Sequence, residues 1–216
     1  MACICSRTRK RLPRMRKFEG KELLVATHNQ GKLEEIAHLL SDFGVSIVGA
    51  AEKGLGEPEE TETTFVGNAR INAHVAAKAP GLPALSDDSG LEIDALDGAP
   101  GVYTADWAET ETGREFGMAM EKAYAASVAS EKEPPWKARF CCTLVLAWPD
   151  GHDEVFPGTI DGQITWPMRG SQGHGYDPIF VPNGHTETFG EMDRWEKNRM
   201  SHRADAFRKL VEGCFR

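Results

Sequence analysis

The chain has 216 residues, 40% of them hydrophobic and 27% charged, with a formal net charge of −8; that is enough for one sizeable domain or two small lobes sharing a core. No apolar run approaches the length of a membrane span, so no transmembrane helix and no membrane partner is expected. Long nucleic acid is also excluded as a partner, because non-specific affinity for it comes mainly from neutralising phosphates, and a small anionic ligand would need a locally basic pocket or a bridging cation.

The charge is unevenly spread. Residues 1–17, "MACICSRTRKRLPRMRK", carry +7, while in the remainder 18 basic residues face 33 acidic ones, a balance of −15. This segment has no apolar stretch of the secretory kind. It reads as a disordered basic arm: an organelle leader, a tail that sticks to nucleic acid or, the preferred reading, a translated extension ahead of a start at Met15. Residues 18–216 then form a single domain with two lobes.

"ELLVA" is a short apolar run suited to a buried strand. Leu33, Ile36, Ala37 and Leu40 follow at helical spacing. Between them lies "THNQGK", Thr27 to Lys32, so the unit reads strand, tight loop, helix. A helix starting there offers free backbone N–H groups and the positive end of its dipole, which favours an anion. Thr27 and Asn29 can donate hydrogen bonds, Gly31 admits close backbone approach and Lys32 supplies charge. The loop is not a Walker A motif, since Ala26 and Leu33 stand where that pattern needs Gly and Ser or Thr. An ordinary strand-to-helix turn remains the competing reading of this segment.

"VSIVGA" reads as a second strand, and "EKGLGEPEETETT" as an acidic loop. A helix over Phe65 to Lys78, capped by Thr64, buries Phe65, Ala69, Ala73, Ala76 and Ala77 and keeps Asn68 and Asn72 together on another face. "ALSDDSGLEIDAL" reads as a short strand, a polar corner and an alternating segment. Phe116, Ala119, Met120, Ala123, Tyr124, Ser127 and Val128 mark a further amphipathic helix. "ARFCCTLVLAW" is a central strand, and "HDEVFPGTIDGQITW" continues it as an antiparallel meander. A Gly-rich loop, "RGSQGHGYDP", leads to the strand "IFVP". Ser201 caps a last helix whose core side is Ala204, Phe207, Leu210, Val211 and Cys214. The order predicts an α/β fold with a mixed, strongly twisted central sheet flanked by helices.

Cys141 and Cys142 are neighbours on a strand and point to opposite faces, so they cannot chelate one metal together. Buried reduced thiols are expected, in keeping with a cytoplasmic location.

Two adjacent aspartates, Asp87 and Asp88, repel each other and point oppositely in extended chain. One can line a cleft while the other orients neighbours. A cleft carboxylate with another from "EPEETE" would suit Mg²⁺, which takes one or two carboxylates, waters and substrate phosphates. An Asx-rich turn is the alternative reading of the corner. "EKNRMSHRADAF" supplies Lys197, His202 and Arg203, and the last two bring cations to the first turn of the last helix, against its dipole unless an anion is bound. Together these segments point to a triphosphate with its metal.

The blocks "VATHNQGKLEEI", "SDDSGLEIDALDGAPGVYTA", "GHGYDPIFVPNGHTETFGEM" and "EKNRMSHRADAF", in that order from about residue 22 to 211, resemble the signatures of the noncanonical purine nucleoside triphosphate pyrophosphatases, the inosine triphosphatase-like or Ham1-like family. The resemblance implies an elongated two-lobed dimer that hydrolyses ITP, dITP and XTP to monophosphate and pyrophosphate with Mg²⁺. It assigns Thr27, His28, Asn29, Gln30, Gly31 and Lys32 to the triphosphate. Asp88 becomes metal ligand and proton acceptor, with Glu60 or Glu59 assisting the metal. Ser89 would touch substrate, and His174, Gly175, Tyr176, Asp177, Lys197, His202 and Arg203 would hold the nucleotide and its base. Three positions depart from the family pattern. Gly67 stands for a Glu that completes a capping box with Thr64, Asn72 for a Lys directed at the phosphates, and His174 for a Phe stacked on the base.

Overall fold

A computed structural model describes residues 15–216; most of the basic arm therefore lies outside the described residues. Its last residues are tied to the body: the Arg16 backbone N–H donates to Glu154 (2.8 Å), the Arg16 guanidinium donates to Asp150 (2.6 Å), and the Lys17 ammonium donates to the Gly213 carbonyl (2.8 Å).

In chain order the elements are β1 (Glu22–Val25), α1 (Gln30–Leu40), β2 (Ser46–Gly49), α2 (Phe65–Lys78), β3 (Ala84–Ile93), β4 (Pro100–Gly101), β5 (Glu109–Thr110), β6 (Gly113–Arg114), α3 (Phe116–Ala129), β7 (Lys137–Ala147), β8 (Asp153–Ile164), β9 (Phe180–Pro182), α4 (Arg194–Met200) and α5 (His202–Leu210). The main sheet runs β2-β1-β3-β7-β8-β9, with β4 pairing β3. β1 is parallel to β2 and β3, and the remaining pairings are antiparallel. The expected α/β fold with a mixed, curled sheet is the one observed.

The "SDDSG" segment is not a corner. It lies inside β3, which stays in register with β7 from Ala84↔Ala147 to Ile93↔Ala138. The polar residues resemble a turn in sequence, but the antiparallel partner holds them extended. β1 pairs β3 only at Ala84 and Leu85, and β4 only at Leu91 and Glu92. Residues 86–90 therefore have strand partners on one edge alone, and the open edge makes a cleft.

Apolar packing divides on either side of that opening. Towards one end of β3 and β7, Leu23, Val25, Leu85, Leu144 and Leu146 pack with Ile36 and Leu40 of α1 and with Phe207 and Leu210 of α5. On the other face of the same end, Leu24, Ala84, Val145 and Ala147 meet the alanine stripe of α2. Towards the opposite end, Leu91, Ile93, Ala138 and Phe140 pack with α3 and with Phe180 and Phe189. The two long strands join these halves, and the site lies between them.

Pro157 is tolerated within β8 because β9 pairs that strand only at Gly162–Ile164, leaving Pro157 without a partner on its second edge. In α3 the buried residues are Ala119, Met120, Ala123 and Ser127, whereas Val128 is 55% exposed. In α5 the buried alanine is Ala206 rather than Ala204, since that side packs against Gly158 of β8.

Candidate active site

β1 ends at Val25 and the chain turns directly into α1. The Thr27 hydroxyl accepts from the Asn29 N–H (3.1 Å) and Asn29 Oδ1 accepts from the Lys32 N–H (3.2 Å), so Asn29 is the helix cap. These bonds occupy one oxygen of each residue and leave the Asn29 amide N–H groups and the Thr27 O–H as donors. Thr27, His28, Asn29 and Lys32 line a cleft of about 550 Å³; Gln30 and Gly31 do not, and Gln30 turns to Glu34 (3.1 Å).

Asp87 and Asp88 point to opposite sides of β3, yet both reach the cleft. Asp87 is buried and receives Lys32 on one oxygen (3.0 Å) and Arg203 on the other (3.2 Å). Burial pushes its carboxyl up, but the two cations outweigh burial and hold it well below the usual carboxylate range. Arg203 is itself buried and shares its charge with Glu35 of α1 (3.1 Å). Glu35 was not singled out from sequence, although it stands one helical turn from Lys32, the spacing at which side chains share a face.

Asp88 has no such counter-ions. Its Oδ2 is buried without a hydrogen-bond partner. Burial first, and then the charges of Glu60 and Asp87, raise its carboxyl to about 7, only partly offset by Lys32 and Asn68. Glu60 is held by the Asn72 amide, which donates at 2.8 Å, and Asn68 accepts from the Glu62 N–H (3.0 Å). The polar face of α2 thus secures the acidic loop beside Asp88. Glu60 lines the cleft and Glu59 does not. Among the described residues no cluster of three or more His, Cys, Asp or Glu could hold a metal by itself. Two facing carboxylates with an orphaned oxygen fit Mg²⁺, which relies on waters and phosphates for its other ligands.

At the far end, Gly173 and Gly175 both take positive φ (+74° and +66°), conformations that side chains resist. Between them His174 is presented at the cleft mouth, its backbone N–H donating to Asp177 (2.7 Å). Burial of the ring, then the nearby Lys197 charge, lower the His174 pKa, with Asp177 opposing. Asp177 also accepts the buried Lys197 ammonium, so it fixes both the loop and the cation. Tyr176 is buried, its hydroxyl directed to the Thr104 carbonyl (3.3 Å). Ser89 lines the cleft and donates to Asp87 (3.1 Å).

Lys197 belongs to α4, a helix the sequence reading did not separate, capped by Asp193. His202 is not a cation. It is buried and stacked on Phe140 (4.9 Å, 15°), and burial foremost, with Arg203 and Lys197, drives its pKa well below the ordinary value. Cys141 and Cys142 are buried free thiols, pushed up to about 12 chiefly by burial. Thr104, Arg114 and Phe116 also line the cleft; no sequence signal places them there, and Phe116 reads as core because it begins an apolar stripe.

The arrangement defines an α/β protein with a phosphate-ready helix start, two cations around one carboxylate, and a carboxylate pair fitted to a divalent ion, all at an open sheet edge. Residues 23–213 match the model of the Ham1 family, and the chain belongs to that family. Two relatives named dITP/XTP pyrophosphatase are similar over nearly their whole length. The protein from Ruegeria pomeroyi is 68% identical over 200 residues, 93% of this chain and 98% of its own. That from Agrobacterium fabrum is 56% identical over 212 residues, 93% and 99%. Among solved structures, a HAM1 protein from Coxiella burnetii superposes with a TM-score of 0.84 at 37% identity, covering 89% of this chain and 98% of the other.

Proposed function

We propose that this chain hydrolyses noncanonical purine nucleoside triphosphates, dITP, XTP and ITP, to the monophosphate and pyrophosphate with Mg²⁺. The observation that carries the reading is Asp88: a carboxylate with an unpaired buried oxygen, facing Glu60, in the same cleft as Lys32 and Arg203. The relatives' names supply the substrate class.

Thr27, Asn29 and Lys32, with the N–H groups opening α1, bind and orient the phosphates. Lys32 and Arg203 offset negative charge that develops on the phosphoryl oxygens. Asp88 accepts a proton from the attacking water as the oxygen–phosphorus bond forms and the anhydride bond to the departing pyrophosphate breaks. Asp88 and Glu60 would hold Mg²⁺, which when bound neutralises the leaving pyrophosphate. His174, Gly175, Tyr176, Asp177, Lys197 and His202 border the base, with the neutral His202 ring offering a hydrogen-bonding edge and Lys197 a donor.

The reading includes a homodimer in the cytoplasm. Buried free thiols at Cys141, Cys142 and Cys214 suit a reducing compartment, and no helix among the described residues is long and apolar enough to cross a membrane. Light scattering of the purified protein checks the dimer. For the activity, kcat/KM is compared for dITP, XTP, ITP, dGTP and dATP with Mg²⁺. Preference for the first three is expected, and equal use of dATP overturns the substrate class.

A further inference from the structure

Ionic groups do not account for the whole lining of the cleft. Phe116, the first residue of α3, brings a carbon ring into it, partly buried and partly open. The ring stands edge-on to Tyr176, centroids 6.1 Å apart at 76°. It lies 3.8 Å from where a Cβ on Gly175 would sit, an ordinary contact distance that sets the ring directly beside the Gly173–Gly175 loop. Ala119, Met120 and Ala123 anchor α3 in the core and fix the ring's position.

The other aromatic carbon rings at the cleft are already covered. Tyr176 is 1% exposed and Phe140 is buried beneath His202. Phe116 keeps open apolar surface among charged neighbours, beside the loop that carries His174. Such surface gains most from a flat, weakly hydrated ligand face, as in stacked or edge-to-face aromatic pairs.

We propose that Phe116 is a substrate-contacting residue, its ring resting against the purine base and setting affinity for the base rather than for the phosphates. This rests on the function proposed above. At position 174 an imidazole at the cleft mouth offers less apolar area, and Phe116 reaches the same region from the opposite element.

The test compares wild type with Phe116→Leu, which keeps apolar volume in the fold, and Phe116→Trp, which keeps an aromatic face. KM and kcat are measured for XTP, together with the inhibition constant of inorganic tripolyphosphate, which carries phosphates without a base. The expected result is a KM for XTP raised roughly tenfold in Phe116→Leu, the scale of base–aromatic stacking, with recovery in Phe116→Trp and an unchanged tripolyphosphate constant. An unaltered KM, or tripolyphosphate inhibition that weakens in parallel, overturns the assignment. A wild-type protein that cleaves neither XTP nor dITP overturns the function instead. Calorimetric binding of XMP then judges Phe116 alone: weaker binding to Phe116→Leu supports it, and equal or absent binding overturns it.

Discussion

Adjacent aspartates on one strand are placed in opposite electrostatic settings, and their substitutions separate accordingly. Asp88→Asn removes the proton acceptor and metal ligand, so turnover should be lost. Its effect on stability has the opposite sign. The folded carboxyl, at about 7, lies above the ordinary 3.8, so the folded protein holds that proton more tightly and loses stability as pH rises from about 4 to about 7. In chelator, Asp88→Asn should be more stable than wild type at pH 8, by up to about 4 kcal/mol, and the difference should vanish near pH 4; no gain at pH 8 contradicts the unpaired, desolvated carboxylate. Asp87→Asn leaves Lys32 and Arg203 without their shared counter-ion and should cost about 3 kcal/mol, measurable by urea denaturation. His174, lowered from 6.5, is neutral at pH 7. The ratio of KM for XTP in wild type to that in His174→Phe should therefore be flat from pH 7 upwards and change only on the acid side, since any contribution of Asp88 is common to both proteins; a step in that ratio between pH 7 and 9 would contradict a lowered His174.

At the scale of elements, α2 illustrates how far local rules reach. Thr64 caps it as the sequence predicts, accepting from the Gly67 N–H (3.1 Å). Sequence rules alone suggest that Gly67→Glu completes a capping box and removes a helix-interior glycine, a gain of about 1 kcal/mol. The acidic loop forbids this: a Cβ at position 67 would lie 2.5 Å from Glu62 Cβ. Gly67→Ala and Gly67→Glu should both lower the melting temperature, and a rise in either would show that the loop yields. The starts of α1 and α2, the Thr64 and Ser201 caps and the antiparallel pairing of β7 with β8 are legible because each is encoded within a few residues. The unbroken course of β3 was not, because Ser86 to Gly90 are held extended by β7, more than fifty residues away. α4 is not visible in the sequence because its seven residues, Arg194–Met200, hold Trp195 and Met200 as their only apolar side chains, five apart and off the helical period. Phe116 reads as part of an apolar helix stripe and Glu35 carries no signal of its own; only the approach of other elements brings Phe116 to the cleft and Glu35 to Arg203.

For the whole molecule, topology decides where chemistry can occur. β1 and β4 flank opposite ends of β3, the five residues between keep a free edge, and cations from α1, α4 and α5 converge on it with acids from β3 and the loop before α2. The motif blocks contain most of the polar residues that line this cleft, whereas their division into an Asp87 ion-pair cluster and an Asp88 carboxylate pair required the fold. The central claim is that this edge cleaves a triphosphate so that pyrophosphate leaves whole. The direct measurement is the product balance from XTP and Mg²⁺, by chromatography and by separate assays of pyrophosphate and orthophosphate, in wild type and Asp88→Asn. The account predicts equal amounts of XMP and pyrophosphate, no XDP, and no products from Asp88→Asn; XDP with orthophosphate, or undiminished cleavage by Asp88→Asn, would contradict it.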